Sequence, residues 1–133
     1  VLSMFVLIIG LAQNGVTEGL AKVLGEGEAT VFKYGYSSFL VANVINNIPM
    51  SVLFSSIIES VSAEFAMPAV YAAIIGSNVG AFLTPIGALA GIMWSSILKE
   101  HGLKFGYTSF LKIGVIVAIP AISAALVILW ALI

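Results

Sequence analysis

Asn43-Val44-Ile45-Asn46-Asn47-Ile48-Pro49-Met50 interrupts two apolar runs, Tyr34 to Ile48 and Met50 to Ser62, of about 15 and 13 residues. A helix needs about 20 apolar residues to cross roughly 30 Å of hydrocarbon at about 1.5 Å per residue, so neither run spans alone. Pro49 removes a backbone donor and biases Ile48 away from helical geometry, which argues against one straight helix through the motif. The pattern predicts a re-entrant helical hairpin over 34–62, entering and leaving by one face, with Asn46 and Asn47 at its tip.

On the carboxy-terminal side, the run from Met67 to Leu98 is longer than one crossing needs. Its middle reads Gly76-Ser77-Asn78-Val79-Gly80-Ala81-Phe82-Leu83-Thr84-Pro85-Ile86-Gly87. The glycines Gly76, Gly80 and Gly87, with Pro85, predict an unwound segment and hence a broken transmembrane helix over 67–98. Tyr107 to Ile133 predicts a last spanning helix (107–133), with Pro120 as a kink and Trp130 near its far end. On the amino-terminal side, 1–24 predicts one spanning helix, ended by Gly25-Glu26-Gly27-Glu28. Because Val1 opens inside apolar sequence with no initiator Met, the chain reads as a carboxy-terminal piece of a longer protein, and the fold class expected is all-α integral membrane.

Composition agrees. Of 133 residues, 61% are hydrophobic and 8% charged, with a mean hydropathy of +1.18; soluble domains carry roughly 25% charged residues. Five lysines, no arginine and a net charge of −1 leave no basic surface for nucleic acid. Without cysteine there is no thiolate ligand or nucleophile. No Gly-x-x-x-x-Gly-Lys phosphate loop occurs, and Ser55, Ser56, Ser95 and Ser96 have no base beside them in sequence, so no enzyme and no cofactor is expected.

Lysines collect on the cytoplasmic side of membrane proteins. Lys99, Lys104 and Lys112 cluster with His101, whereas Glu26, Glu28, Glu59 and Glu64 fall in the alternate loops, against Lys22 and Lys33. The loop 99–106 is therefore expected in the cytoplasm, and the hairpin mouth and carboxy terminus outside, in a multi-pass protein of the cell membrane.

Non-helical backbone survives in hydrocarbon only where protein, water or ligand satisfies it. Broken helices in transporters use such places to bind substrate and coupling ion near the midplane. Asn46 and Asn47 at one break, with Ser77, Asn78 and Thr84 at the other, supply neutral donors and acceptors for one cavity. Each of these residues has a plainer alternative, fastening helices to one another, as the glycines have in close packing. Asn43, a turn before the tip, is balanced between the two roles. Glu18, Glu59 and Glu64 read as solvated carboxylates near segment ends.

The motifs Asn46-Asn47-Ile48-Pro49-Met50, Gly76-Ser77-Asn78-Val79-Gly80 and Leu83-Thr84-Pro85-Ile86-Gly87-Ala88-Leu89-Ala90, followed by Met93-Trp94, resemble the ion transporter superfamily, and within it the arsenite efflux pump family, over nearly the whole chain. The resemblance implies a fold of two inverted repeats, this piece being most of the second. It carries over Asn46, Asn47, Ser77, Asn78 and Thr84 as binding residues. It implies a secondary active transporter exporting arsenite or antimonite against proton entry. The expected partners are the lipid bilayer, the amino-terminal half of the same transporter, a cytoplasmic ATPase subunit and a homodimer mate. The uncharged Ser77-Asn78 break is also similar to the dicarboxylate branch. That keeps open a sodium-coupled citrate or dicarboxylate transporter, with Na+ at Asn47 and Asn78, or a sodium/proton antiporter. A non-transporting membrane assembly subunit is the alternative from another class.

Overall fold

The computed structural model describes residues 2–85, 87, 89–103 and 105–133. Among them the chain is all-helical, without strands: α1 (Leu2–Gln13), α2 (Val16–Leu24), α3 (Thr30–Ile45), α4 (Asn47–Ile58), α5 (Ala63–Gly80), α6 (Leu89–Glu100) and α7 (Tyr107–Leu132).

Small residues decide how these helices meet. Gly35, Ser38 and Ala42 on α3 are buried, as are Ala69, Ala72, Ala73, Gly76 and Gly80 on α5, and this pair makes the most extensive helix contact. A Cβ at Gly76 would run into the Ser38 hydroxyl and the Gly35 carbonyl, and one at Gly80 would lie 2.6 Å from the Phe39 carbonyl oxygen. Such close backbone approach recovers dispersion energy where lipid removes the hydrophobic drive for helices to associate. On α7 the buried positions Gly114, Ala118, Ile122 and Leu126 recur every fourth residue, one stripe packed on α3 and α5. Tyr36 and Ser123 add a 2.8 Å hydroxyl–hydroxyl bond across α3 and α7. Met50, Leu53, Phe54 and Ile57 of α4 complete the core, Phe54 meeting Tyr34 edge-on.

Where one helix is expected over 1–24, the described part, 2–24, forms two. Gly15 takes φ 73°, and Asn14 folds back to donate from Nδ2 to the Gly10 carbonyl at 2.7 Å. Left-handed backbone at a glycine ends a helix cheaply, so α1 and α2 are 12 and 9 residues. In the segment expected as a hairpin, α3 begins earlier, at Thr30, and the break falls at Asn46 rather than at the proline. Pro49 is the third residue of α4, in the first turn, where a missing N–H costs nothing.

The second break is also narrower than expected. Residues 81–85 and 87 lie between α5 and α6, but Gly76, Ser77, Asn78 and Gly80 are inside α5. Gly76 and Gly80 therefore do not unwind the chain; they admit α3. Helix α7 runs on through Pro120 and is the one described helix long and apolar enough to cross a membrane by itself, with a mean hydropathy of 2.7 in its best window. Some expectations touch residues outside those described: Val1, which opens the first span, Ile86 and Ala88, which belong to the unwound segment and the motif around it, and Lys104, which belongs to the lysine cluster.

Candidate functional site

The two breaks come together. Asn47, first residue of α4, donates its backbone N–H to the Gly87 carbonyl at 3.2 Å. Thr84 is buried and donates from Oγ1 to Asn43 Oδ1 at 2.7 Å, while Asn43 Nδ2 donates to the Phe39 carbonyl at 2.8 Å. Gly87 sits so close that a Cβ would lie 3.0 Å from Asn43 Oδ1. The last turn of α3, the tip and the unwound segment are thus one hydrogen-bonded unit. Asn43 is its joint, a residue whose spacing alone left its role undecided.

Asn46 carries φ 71° and ψ 154°, backbone that is nearly the preserve of glycine, and its Oδ1 accepts from Ile48 N at 3.4 Å as the cap of α4. This accounts for the amino-terminal amides of that helix. Asn47 N–H goes to Gly87, Ile48 N–H to Asn46, Pro49 has none, and Met50 N–H reaches the Asn46 carbonyl at 3.1 Å. A helix start normally offers free N–H groups to an anion. Here they are spent on the chain itself, which leaves the Asn47 side chain, half-buried and without a hydrogen bond among the described residues, as the donor on offer at the tip.

Ser77 and Asn78 stand one turn before the second break. Ser77 Oγ donates to the Ile74 carbonyl at 3.0 Å and Asn78 Nδ2 to the same oxygen at 2.8 Å. Ser77 is buried and lines a cavity with Met50 and Ser51 of the first turns of α4; Asn78 is exposed. Of the five residues singled out by sequence, Asn46, Asn47 and Thr84 join the hydrogen-bonded unit, Ser77 borders it through this cavity, and Asn78 bonds only within its own helix.

Depth follows from α7. A Cβ at Gly114 would meet the Phe82 and Leu83 carbonyls, so the unwound segment lies against the eighth residue of the 26 in that helix. At about 1.5 Å per residue the break is about 10 Å from one end of α7 and about 28 Å from the other. The near end carries Lys99, His101 and Lys112. At the far end Trp130 and Ile133 line a cavity with Glu28 and Glu64.

Over residues 1–133 the sequence matches the family model described as arsenical pump membrane protein. The arsenical pump membrane protein of Escherichia coli is 27% identical over 132 residues, covering 94% of this chain and 31% of its own length. That of Yersinia enterocolitica is 28% identical with the same coverage. An uncharacterized transporter of Synechocystis sp. is 27% identical over 154 residues, covering 97% of this chain and 34% of its own. The chain spans about a third of the length of the relatives it matches. No solved structure matches it.

Proposed function

The chain belongs to the arsenical pump membrane protein family, and from that premise we propose that it forms the substrate half-site of a secondary active transporter, not an enzyme, that exports arsenite or antimonite in exchange for protons. The observation that carries the reading is the union of two helix breaks through Asn43, Thr84, Asn47 and Gly87. Backbone that leaves the helix at two places and meets there is costly in lipid, and a polar solute to bind is the reason transporters tolerate it.

The hairpin is read as re-entrant. Support comes from Glu26, whose carboxylate accepts from Ser62 N at 2.9 Å and from Ser62 Oγ at 2.5 Å. That bond ties the loop before α3 to the loop after α4, so both outer ends of the pair share one side. The acidic side is assigned to the exterior and the α6–α7 corner to the cytoplasm, in the cell membrane. The remaining parts of the site, a coupling carboxylate included, are assigned to the rest of the parent chain, and an ATPase subunit or a second copy are further proposed partners.

A second reading has its own support. Asn43, Asn47 and Thr84, which meet where the two breaks join, offer neutral oxygen ligands of the kind that hold Na+ without a titrating carboxylate, which favours a sodium-coupled carrier of citrate or a dicarboxylate; Asn78, the other residue expected to hold Na+, stays within its own helix.

Uptake into everted vesicles bearing the full-length parent separates the two: arsenite driven by a proton gradient, against citrate or succinate with and without sodium. Asn47→Ala and Asn78→Ala accompany it. Since neither side chain bonds another helix, each change should cost stability no more than about 0.5 kcal/mol. The transport reading expects normal folded protein and at least a tenfold loss of flux. Lost folded protein instead would return these residues to the role of fasteners in an assembly subunit.

A further inference from the structure

Three polar residues that the half-site leaves unused fall on one line. Ser51, Ser55 and Glu59 recur every fourth residue, so they share a face about 12 Å long running from the tip end of α4 past its last turn. With Ser77 of α5 they line a cavity of about 370 Å3 between the two helices. Four residues join α4 to α5, so the Glu59 end lies by the start of α5 and the Ser51 end by Ser77.

The hydrogens of this line are partly committed, Ser51 Oγ to the Ile48 carbonyl at 2.7 Å and Ser77 Oγ to Ile74, which leaves their oxygens as acceptors. The Ser55 hydroxyl and the Glu59 carboxylate have no side-chain hydrogen bond among the described residues, although both border the cavity. Beyond Glu59, Ser60 lines a second cavity of about 490 Å3 together with Glu18, Lys22 and Glu26, so the groove opens on a charged rim. Along α4 the tip residue Asn47 lies about 18 Å of helix from Glu59. A solute crossing to the acidic side beside this helix needs a path over that distance, and the groove provides about 12 Å of it.

We propose that the α4–α5 groove is a water-filled access path between the half-site and the acidic side, with Glu59 at its mouth and Ser55 and Ser51 as steps to Ser77. Most of its lining is apolar, Met50, Phe54, Ile58, Val70, Ala73 and Ile74, and the polar line along it offers three hydroxyls and one carboxylate and no cation, which suits an uncharged, hydroxylated solute; an anion is repelled at Glu59. The proposal deepens the transport reading and rests on it.

The test uses the full-length parent with its native cysteines replaced, this chain contributing none. Ser51→Cys, Ser55→Cys and Glu59→Cys are compared with Ile116→Cys, on the outward apolar surface of α7 at 73% exposure. A charged, membrane-impermeant methanethiosulfonate is presented on both faces, and flux of each variant is read before and after modification. The groove residues are expected to react at least tenfold faster than the α7 control, and modification of Ser51→Cys or Ser55→Cys to lower flux at least tenfold. Reaction no faster than the control means that lipid or the rest of the protein fills the groove, and overturns the proposal. So does fast reaction with flux intact. Labelling needs no transported solute, whereas arsenite flux in the unmodified parent tests the transport reading, so the two can fail separately.

Discussion

Asn46 occupies backbone that costs a non-glycine residue about 1–3 kcal/mol, and its side chain returns part of that as a helix cap. Asn46→Gly and Asn46→Ala both lose the side chain and its cap, but only Asn46→Ala keeps the strain, so its thermal midpoint in detergent should fall below that of Asn46→Gly. Two variants melting alike would mean that the tip backbone is not the one described. Asn43 and Thr84 test the union of the breaks. Thr84→Val preserves shape but leaves Asn43 Oδ1 without its donor, for an expected loss of about 1–3 kcal/mol. A double-mutant cycle with Asn43→Ala should give a coupling of about 0.5–3 kcal/mol; additive effects would dissolve the joint. Asparagines next to a proline in apolar sequence mark the tip by sequence alone, because they are expensive there. Asn43 could not be assigned the same way, since its partner lies 41 residues on and spacing within one helix says nothing of what faces it.

At the scale of elements, the sequence located breaks better than it explained them. The hairpin and the second break are where apolar runs become too short or too rich in glycine. By sequence Gly76 and Gly80 belong equally to the break, because glycine both unwinds helices and admits neighbours, and only the α3 face across from them, Gly35 to Phe39, decides for the second. The α1–α2 break is spelled by Gln13-Asn14-Gly15, but the surrounding hydropathy favours one span and hides it. The latch between Glu26 and Ser62 was likewise invisible, its partners lying 36 residues apart. The Ser62 hydroxyl, and after it the Ser62 amide, hold the Glu26 carboxyl below its ordinary value of 4.5. A folded value below the unfolded one stabilises the latch above the unfolded pKa and is lost as pH falls through the folded one. Protection factors of the amides in the first turn of α5, taken against the intrinsic exchange rate at each pH, should therefore fall as the pH is lowered through the Glu26 titration. Glu26→Gln, with a neutral amide in place of the carboxylate, should show protection factors that do not change across that range. A parent profile as flat as the variant's would remove the latch.

For the whole molecule, α7 acts as the measuring rod against which the other elements are placed. Its stripe of Gly114, Ala118, Ile122 and Leu126 faces the bundle, while Ile116, Val117, Val127 and Ile128 point away, each more than half exposed. Only lipid or more protein can cover such a surface without loss. Helix α6 is in the same position. It makes few contacts with the other described helices beyond Gly91 against Pro85 and Trp94 against Phe105 and Phe110, and it leaves Ile92, Met93 and Ile97 outward. The relatives are about three times as long as this chain. Charge then orients the bundle. Glu28 and Glu64 gather with Trp130 and Ile133 at one end of α7, and Lys99 and Lys112 flank the other, about 39 Å away by helix rise. If lysines mark the cytoplasm, alkaline phosphatase fused after Ile133 of the parent should be active in a bacterial inner membrane, and a fluorescent protein at the same point should be dark. Inserted after Gly102, the two reporters should exchange behaviour. The reverse pattern at both points would invert the bundle, putting the Glu59 mouth in the cytoplasm and leaving the half-site about 10 Å from the exterior. The groove along α4 would then admit solute from the cytoplasm rather than release it outside, and the same half-site could still serve export.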